Sequence, residues 1–394
     1  MKAVIVGAGI GGITTALALA MRGWDVNVLE RAAKIQEVGA GLQISPNGMK
    51  VLQSLGVTDY INEKWFEPEN IELRMGATGR RIFQIPMKAQ AQNRWGARYV
   101  QIHRADLLNG LLAALHARVG NVVQTNCQVT GYQNAHATPS VICADGRMIE
   151  ADLIVGADGI RSEIRTQMIG PDKPRFTGNT AWRSVVPMDR LGEQVPPPAG
   201  CIWAGSSRHA VTTRIRAGKV ANFVGIVETD VWTSEGWSVQ GEKSDALADF
   251  DGWDPIIQTI IEKSPNMFRW ALFDRAPLKQ WSDGNVVLLG DAAHPMLPSM
   301  AQGAVQAIED AYVLAQTVSS APNIAQGASL YFEKRIKRCT KIQAISTRNL
   351  RMFHRHGAMA RCFTYAPLWA VGQIAPNILL AKNDWIYGFD PTRN

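Results

Sequence analysis

The chain has 394 residues, more than one hydrophobic core usually organises, so more than one packing unit is expected. Its 46% hydrophobic and 19% charged content excludes a disordered chain. The formal net charge of +7 includes no basic block interleaved with aromatics, and the five cysteines show neither metal nor redox spacing. Nucleic-acid binding, a metal centre and a disulfide framework are therefore not expected.

In chain order, Lys2–Val6 is a short apolar run that reads as a buried parallel strand, Ile10–Arg22 as a helix and Asp25–Glu30 as the next strand. This is a βαβ unit. Gly7, Gly9 and Gly12 fit G-x-G-x-x-G at its first turn. The first glycine permits the tight turn, the second lets the backbone approach a diphosphate, and the third lets helix and strand pack closely. The helix N-terminus then faces the phosphate charge. Glu30 ends the second strand, where an acid hydrogen-bonds ribose hydroxyls; a solvated strand-end acid is the alternative. Arg31 adjoins it and is assigned to the same dinucleotide end. The glycine-rich opening is a strand and turn rather than a secretory leader, and the cytoplasm is the expected compartment.

Further on, Asp152–Ala157 reads as another buried strand, followed by Asp158-Gly159 and a helix from Arg161. The stretch Phe176–Leu278 is rich in short alternating segments and holds six of the twelve tryptophans (182, 203, 232, 237, 253 and 270). It reads as an inserted antiparallel sheet sheltering an aromatic ligand. Within it, Arg208–Arg216 (RHAVTTRIR) alternates like a strand. A period of two puts His209, Val211 and Thr213 on one face and Arg208, Arg214 and Arg216 on the other.

Asn285–Leu289 is a third apolar strand, ending in Gly290-Asp291, and Gln302-Gly303-Ala304 opens a helix through Ala311. Asp291 is placed to accept hydrogen bonds from ribityl hydroxyls, which NAD lacks; a helix cap or turn residue is the alternative. The free N–H groups at Gly303 and Ala304 suit the N1–C2 edge of an isoalloxazine, where reduced flavin carries negative charge. The two glycine signatures thus point to a single FAD lying across the fold. Beyond Ala304 the chain reads as mostly helical. Lys334–Arg338 (KRIKR) suits the solvated face of a helix. Ala366–Ala381 is apolar but too short to cross a bilayer, and burial against the body or a second copy is expected, hence a possible homodimer.

GAGIGG with Glu30, GADGIRSEIR (Gly156–Arg165) and GDAAHPMLPSMAQGA (Gly290–Ala304) resemble the three signatures of the single-component flavoprotein aromatic hydroxylases, which share the para-hydroxybenzoate hydroxylase fold. GAGLQISPN (Gly39–Asn47) and DWIYGFD (Asp384–Asp390) look most similar to the branch holding salicylate hydroxylase, 3-hydroxybenzoate 6-hydroxylase and 6-hydroxynicotinate hydroxylase. The expected architecture is α/β: a Rossmann-like FAD-binding domain (1–70, 100–175 and 281–350), an inserted, mostly antiparallel β-sheet substrate domain (71–99 and 176–280) and a helical C-terminal region (351–394).

The resemblance implies FAD, O2 and NADH or NADPH as a transient co-substrate; with one dinucleotide fingerprint, the nicotinamide has no domain of its own. It implies hydroxylation of a small, salicylate-like aromatic or heteroaromatic acid through a flavin C4a-hydroperoxide, shielded from water. The alternatives are a larger polycyclic or isoprenoid substrate on the same fold, or a non-catalytic FAD-binding redox sensor. Carried over position by position, the family's Asp-Gly pair falls on Asp158-Gly159 and its FAD-reaching arginine on Arg104. Pro295 falls beside the flavin. Pro298, which also lacks an N–H, can pack near the ring. Gln43 lies in a loop near flavin or substrate. Removing a phenolic proton suits a base with a pKa near 7, and His209 falls where the branch places a histidine on the substrate hydroxyl. The tyrosine often found four residues later is Thr213 here. Arg183 is an alternative anchor for a substrate carboxylate.

Overall fold

The computed structural model describes residues 1–35, 41–134, 138–172, 174–230 and 239–393. Trp232, Trp237 and the first two residues of the Gly39–Asn47 motif lie outside them.

The opening βαβ unit forms as the apolar pattern requires. Lys2–Val6 pairs in parallel with Asp25–Leu29 on one side and with Leu153–Gly156 on the other. Leu153–Gly156 pairs in turn with Val286–Leu288. Four segments thus lie side by side, their apolar residues buried because helices cover the sheet, with only Asp25 at a strand start exposed. The Ile10–Ala20 and Gly303–Ser320 helices supply much of that cover, and Ile13, Leu17, Ile308 and Leu314 enter the same core.

A second sheet runs Val239–Gln240, Phe268–Asp274, Arg175–Pro187, Val220–Glu228, Arg208–Ile215, Gly200–Ala204, Asn70–Met75 and Arg81–Pro86. Its neighbours are antiparallel except for the parallel pair of Gly200–Ala204 with Asn70–Met75. Residue parity decides the two faces. Cys201, Trp203, Ala210, Ala221 and Phe223 join a core with the Lys243–Asp249 and Pro255–Lys263 helices. Their neighbours at 200, 202, 209, 222 and 224 face a cavity. Among the described residues no tryptophan lines the cavity: Trp182 and Trp203 are fully buried on the helix side, and the cavity side of this sheet is largely aliphatic.

The long helix Ile324–Phe353 crosses behind the Gly303–Ser320 helix. It corrects the expectation for Lys334–Arg338. Helical spacing turns Arg335 fully inward and Arg338 mostly so, while Lys334 and Lys337 stay outside. The segment Ala358–Ile374 is also helical and only partly covered by the body of the chain; in the apolar tail beyond it Leu379 and Leu380 are buried and Ile378 is exposed. Tyr365 packs inward, but Met359, Phe363 and Ile374 are exposed. No helix among the described residues is long and apolar enough to cross a membrane.

Candidate functional site

A cavity of about 720 Å³ runs between the two sheets. At its outer end the glycine turn sets the backbone. Gly7 adopts φ +103°, and a Cβ there would lie 2.6 Å from the Ala157 carbonyl oxygen. A Cβ on Gly12 would lie 1.9 Å from the Gly7 carbonyl oxygen, so its lack of a side chain is what lets the helix close on the turn. Gly9 has open space where its Cβ would be, and it lines the cavity with Gly7, as a backbone meant to meet a bulky anion should. Glu30 caps this end: its carboxylate accepts from the Ala8 N–H at 2.9 Å and the Ala32 N–H at 2.9 Å. Glu30 and Arg31 both line the cavity.

Arg104, Asp158 and Asp291 stand midway along the wall. Arg104 begins the Arg104–Val119 helix, which His103 caps through the Ala105 N–H. Asp158 Oδ2 accepts from the Glu163 and Ile164 N–H groups, while its buried Oδ1 has no partner among the described residues. Burial pushes the Asp158 carboxyl above its usual range against those hydrogen bonds. Asp291 is open to the cavity yet surrounded by the fold. Enclosure raises its carboxyl, with His294 and Arg104 pulling the other way.

The N-terminus of the Gly303–Ser320 helix opens on the inner half, where Gly303, Ala304 and Pro298 line the wall. Its position is locked from behind. Gln302 donates to Ser45 Oγ at 2.9 Å, Ser45 to Asn47 Oδ1 at 2.6 Å, and Asn47 to Glu309 Oε1 at 2.5 Å. Pro295 stands one layer back from the cavity, buried, with its carbonyl accepting from Gln343; Met296 takes its place in the wall.

The far end is built on the cavity face of the second sheet. His209 and Val211 line it, as the period of two requires, but Thr213 does not. Thr213 instead accepts a hydrogen bond from Asn222 Nδ2 at 3.0 Å, and Asn222 is the residue that reaches the wall. Arg183 is likewise not a wall residue; it is buried, with its guanidinium 4.8 Å from the Trp270 ring centroid. Among the described wall residues of this sheet, only His209 and Asn222 carry polar side chains. Gln43 reaches the wall opposite and accepts from the Tyr99 hydroxyl.

His209 is fully buried. Its Nδ1 lies 2.6 Å from His354 Nε2, and its Nε2 has no partner among the described residues. Burial, then the neighbouring His354, holds its pKa well below the usual imidazole value. A neutral imidazole beside aliphatic wall residues can accept one proton at Nε2.

Sequence reasoning missed Asn222, Tyr99 and His354. It also missed the buried network behind the site. There Arg335 binds Glu309 and, at 2.7 Å, Asp310, and Asp310 bonds His294 at 2.5 Å. Cys339 lies near the same groups, but the Arg335 guanidinium already supplies the positive charge there. The adjacent acids in AIEDA were the available signal, since two carboxylates inside an apolar helix demand partners.

The glycine turn, the second helix N-terminus and the cavity joining them define a protein built around a dinucleotide. The chain belongs to the FAD-binding domain family, whose profile matches residues 1–338. It is 35% identical to 6-hydroxynicotinate 3-monooxygenase of Pseudomonas fluorescens, over 88% of this chain and 91% of that one. It is 33% identical to 3-hydroxybenzoate 6-hydroxylase 1 of Aquipseudomonas alcaligenes, over 98% and 97%. Among solved structures, HpxO of Klebsiella pneumoniae complexed with FAD and uric acid superposes with a TM-score of 0.86 at 26% identity, covering 97% of this chain and 96% of that one.

Proposed function

We propose that this chain is an FAD-dependent monooxygenase that hydroxylates a small aromatic or heteroaromatic acid with NAD(P)H and O2. One observation carries the reading: His209, whose buried Nε2 has no partner among the described residues, lines the same cavity as the Gly9 backbone and the Gly303 helix terminus. The residues suit the cofactor. Gly9 leaves room for a diphosphate, Asp158 holds an unused acceptor, and two helix N-termini face the cavity without a first-turn acid. Gly7, Gly9 and Gly12 would hold the diphosphate, Glu30 and Arg31 the adenosine end, Arg104, Asp158 and Asp291 the middle, and Gly303 and Ala304 the flavin edge. Bound FAD would supply electron transfer from the nicotinamide and activation of O2.

The chain's own part is to bind, orient and deprotonate. His209 Nε2 takes the proton of a ring hydroxyl, making the ring electron-rich. Val211, Ile202 and Val224 exclude water around it. Asn222 and Gln43 supply the polar contacts that orient the ring. The segments 1–70, 100–175 and 281–350 serve the cofactor, 71–99 and 176–280 the substrate, and 351–394 closes the far end. We place the protein in the cytoplasm. The exposed apolar face of Ala358–Ile374 supports a homodimer contact.

The cavity face of the sheet offers no arginine or lysine among the described residues, so a substrate carboxylate there meets amides and hydroxyls. This favours a second substrate group, hydroxylated heteroaromatics without a carboxylate, in keeping with the uric acid bound by HpxO. The test is a panel of hydroxybenzoates, hydroxypyridine carboxylates and their decarboxylated analogues, with NAD(P)H oxidation and product measured together. Stimulated oxidation with matching product is expected from at least one compound. Purified protein that takes up no FAD, or oxidises no nicotinamide with any of them, refutes the reading.

A further inference from the structure

The buried base is connected to the surface. His209 Nδ1 lies 2.6 Å from His354 Nε2, His354 Nδ1 lies 3.0 Å from Glu228 Oε1, and Glu228 Oε2 lies 3.2 Å from His356 Nε2. Exposure rises along this line: the His209 and His354 side chains are buried, that of Glu228 is 36% exposed and that of His356 is 66% exposed. Three separate pieces of chain build it. His209 comes from the Arg208–Ile215 strand, Glu228 ends the neighbouring strand, and His354 caps the C-terminus of the long Ile324–Phe353 helix.

We propose that His209, His354 and Glu228 form a proton relay that carries the substrate's hydroxyl proton from the buried base to solvent. The relay rests on the functional reading above and deepens it. In the resting state His209 donates its Nδ1–H to His354 Nε2, and His354 donates its Nδ1–H to the Glu228 carboxylate. The substrate O–H bond breaks as an N–H bond forms at His209 Nε2. The Nδ1 proton of His209 passes to His354 Nε2, and the Nδ1 proton of His354 passes to Glu228. One proton leaves the cavity, both imidazoles end neutral in the other tautomer, and Glu228 passes the proton to water or His356.

Burial explains why a relay is needed. Desolvation lowers the pKa of both His209 and His354, so neither can hold the proton as a stable cation. The charged groups facing the pair are Glu228, which favours a cation on His354, and His356 and Arg208, which oppose it. His354 and Glu228 are therefore positioning residues that act through His209.

The test uses Glu228→Gln and His354→Gln in the FAD-loaded enzyme, with a panel compound that the wild type consumes. In Glu228→Gln the amide oxygen can still accept from His354 but cannot take its proton. At neutral pH kcat should fall by about tenfold or more, while KM stays within about threefold and FAD content is unchanged. The lost rate should return as pH rises toward the phenol range near about 10, because the substrate then arrives ionised. Glu228→Asp, which keeps a proton acceptor, should recover part of the rate at neutral pH. Wild-type rates in both glutamine variants overturn the relay. So does a loss that is equal at every pH, or one that tracks lost FAD or folding, since each marks a purely structural contact. If the wild type consumes no panel compound, the functional reading falls and takes the relay with it; if only the variants behave as wild type, the relay alone falls.

Discussion

In the proposed reaction His209 concentrates the proton chemistry of the site in one atom. Its environment makes it a base only in the neutral form, and its pKa lies below the unperturbed value of 6.5. The free-enzyme acid limb of kcat/KM should therefore fall below pH 6.5, and a pH–rate profile with its limb above 7 would contradict this. His209→Gln should lower kcat by about a hundredfold or more with FAD content intact, as loss of a general base does. Retained turnover would move the base elsewhere. Two glycines make a sharper contrast. Gly9→Ala meets open space and should fold normally but lose about tenfold or more in FAD affinity, since its methyl enters the cavity. Gly12→Ala drives a methyl into the Gly7 carbonyl and should cost about 1–3 kcal/mol of stability. Denaturation and FAD titration of the two proteins check both; the opposite pattern would show that the turn is misassigned.

The Gly303–Ser320 helix is the element on which the most functions converge. Its first turn faces the cavity, and its interior carries Glu309 and Asp310, both fully buried and both bound to Arg335. Burial alone would raise both carboxyls; the cations beside them, Arg335 with Arg338 for Glu309 and His294 with Arg335 for Asp310, hold them below the usual range. Their stabilisation is then complete above the unfolded carboxyl value, near about 4 to 4.5, and is lost as pH falls through the lower folded values. Arg335→Met leaves two buried carboxylates short of a partner and should destabilise the fold by about 3–5 kcal/mol. Thermal unfolding that hardly changes would show the network to be dispensable. This element was half legible in the sequence. The helix start at Gly303 followed from the glycine signature, and the observed helix runs on to Ser320. The arginine run was misread because charge composition says nothing of helical phase against a buried acid pair.

At the scale of the whole molecule, function depends on the C-terminal ends of the parallel strands meeting one face of the second sheet across one cavity. The parallel strands were legible because full burial leaves continuous apolar runs, as in Lys2–Val6 and Leu153–Gly156. His209 and Val211 were placed correctly because a strand's period is fixed. Thr213 shares their phase, yet Asn222 from the neighbouring strand stands over it. Arg183 does not reach the cavity wall because its guanidinium stacks on Trp270, a cross-strand neighbour two residues out of register that sequence spacing does not reveal. The His209–His354 contact spans 145 residues and was invisible for the same reason. Pairing between distant segments is where local reading ends.

The proposed reaction inserts an atom of molecular oxygen into a ring deprotonated at His209. Turnover of an accepted panel compound under 18O2, followed by mass spectrometry of the product, tests it most directly. One 18O atom is expected in each hydroxylated product, with little labelled product from His209→Gln. Nicotinamide oxidation that leaves the aromatic compound unlabelled and unchanged, with all the label in hydrogen peroxide or water, would contradict it.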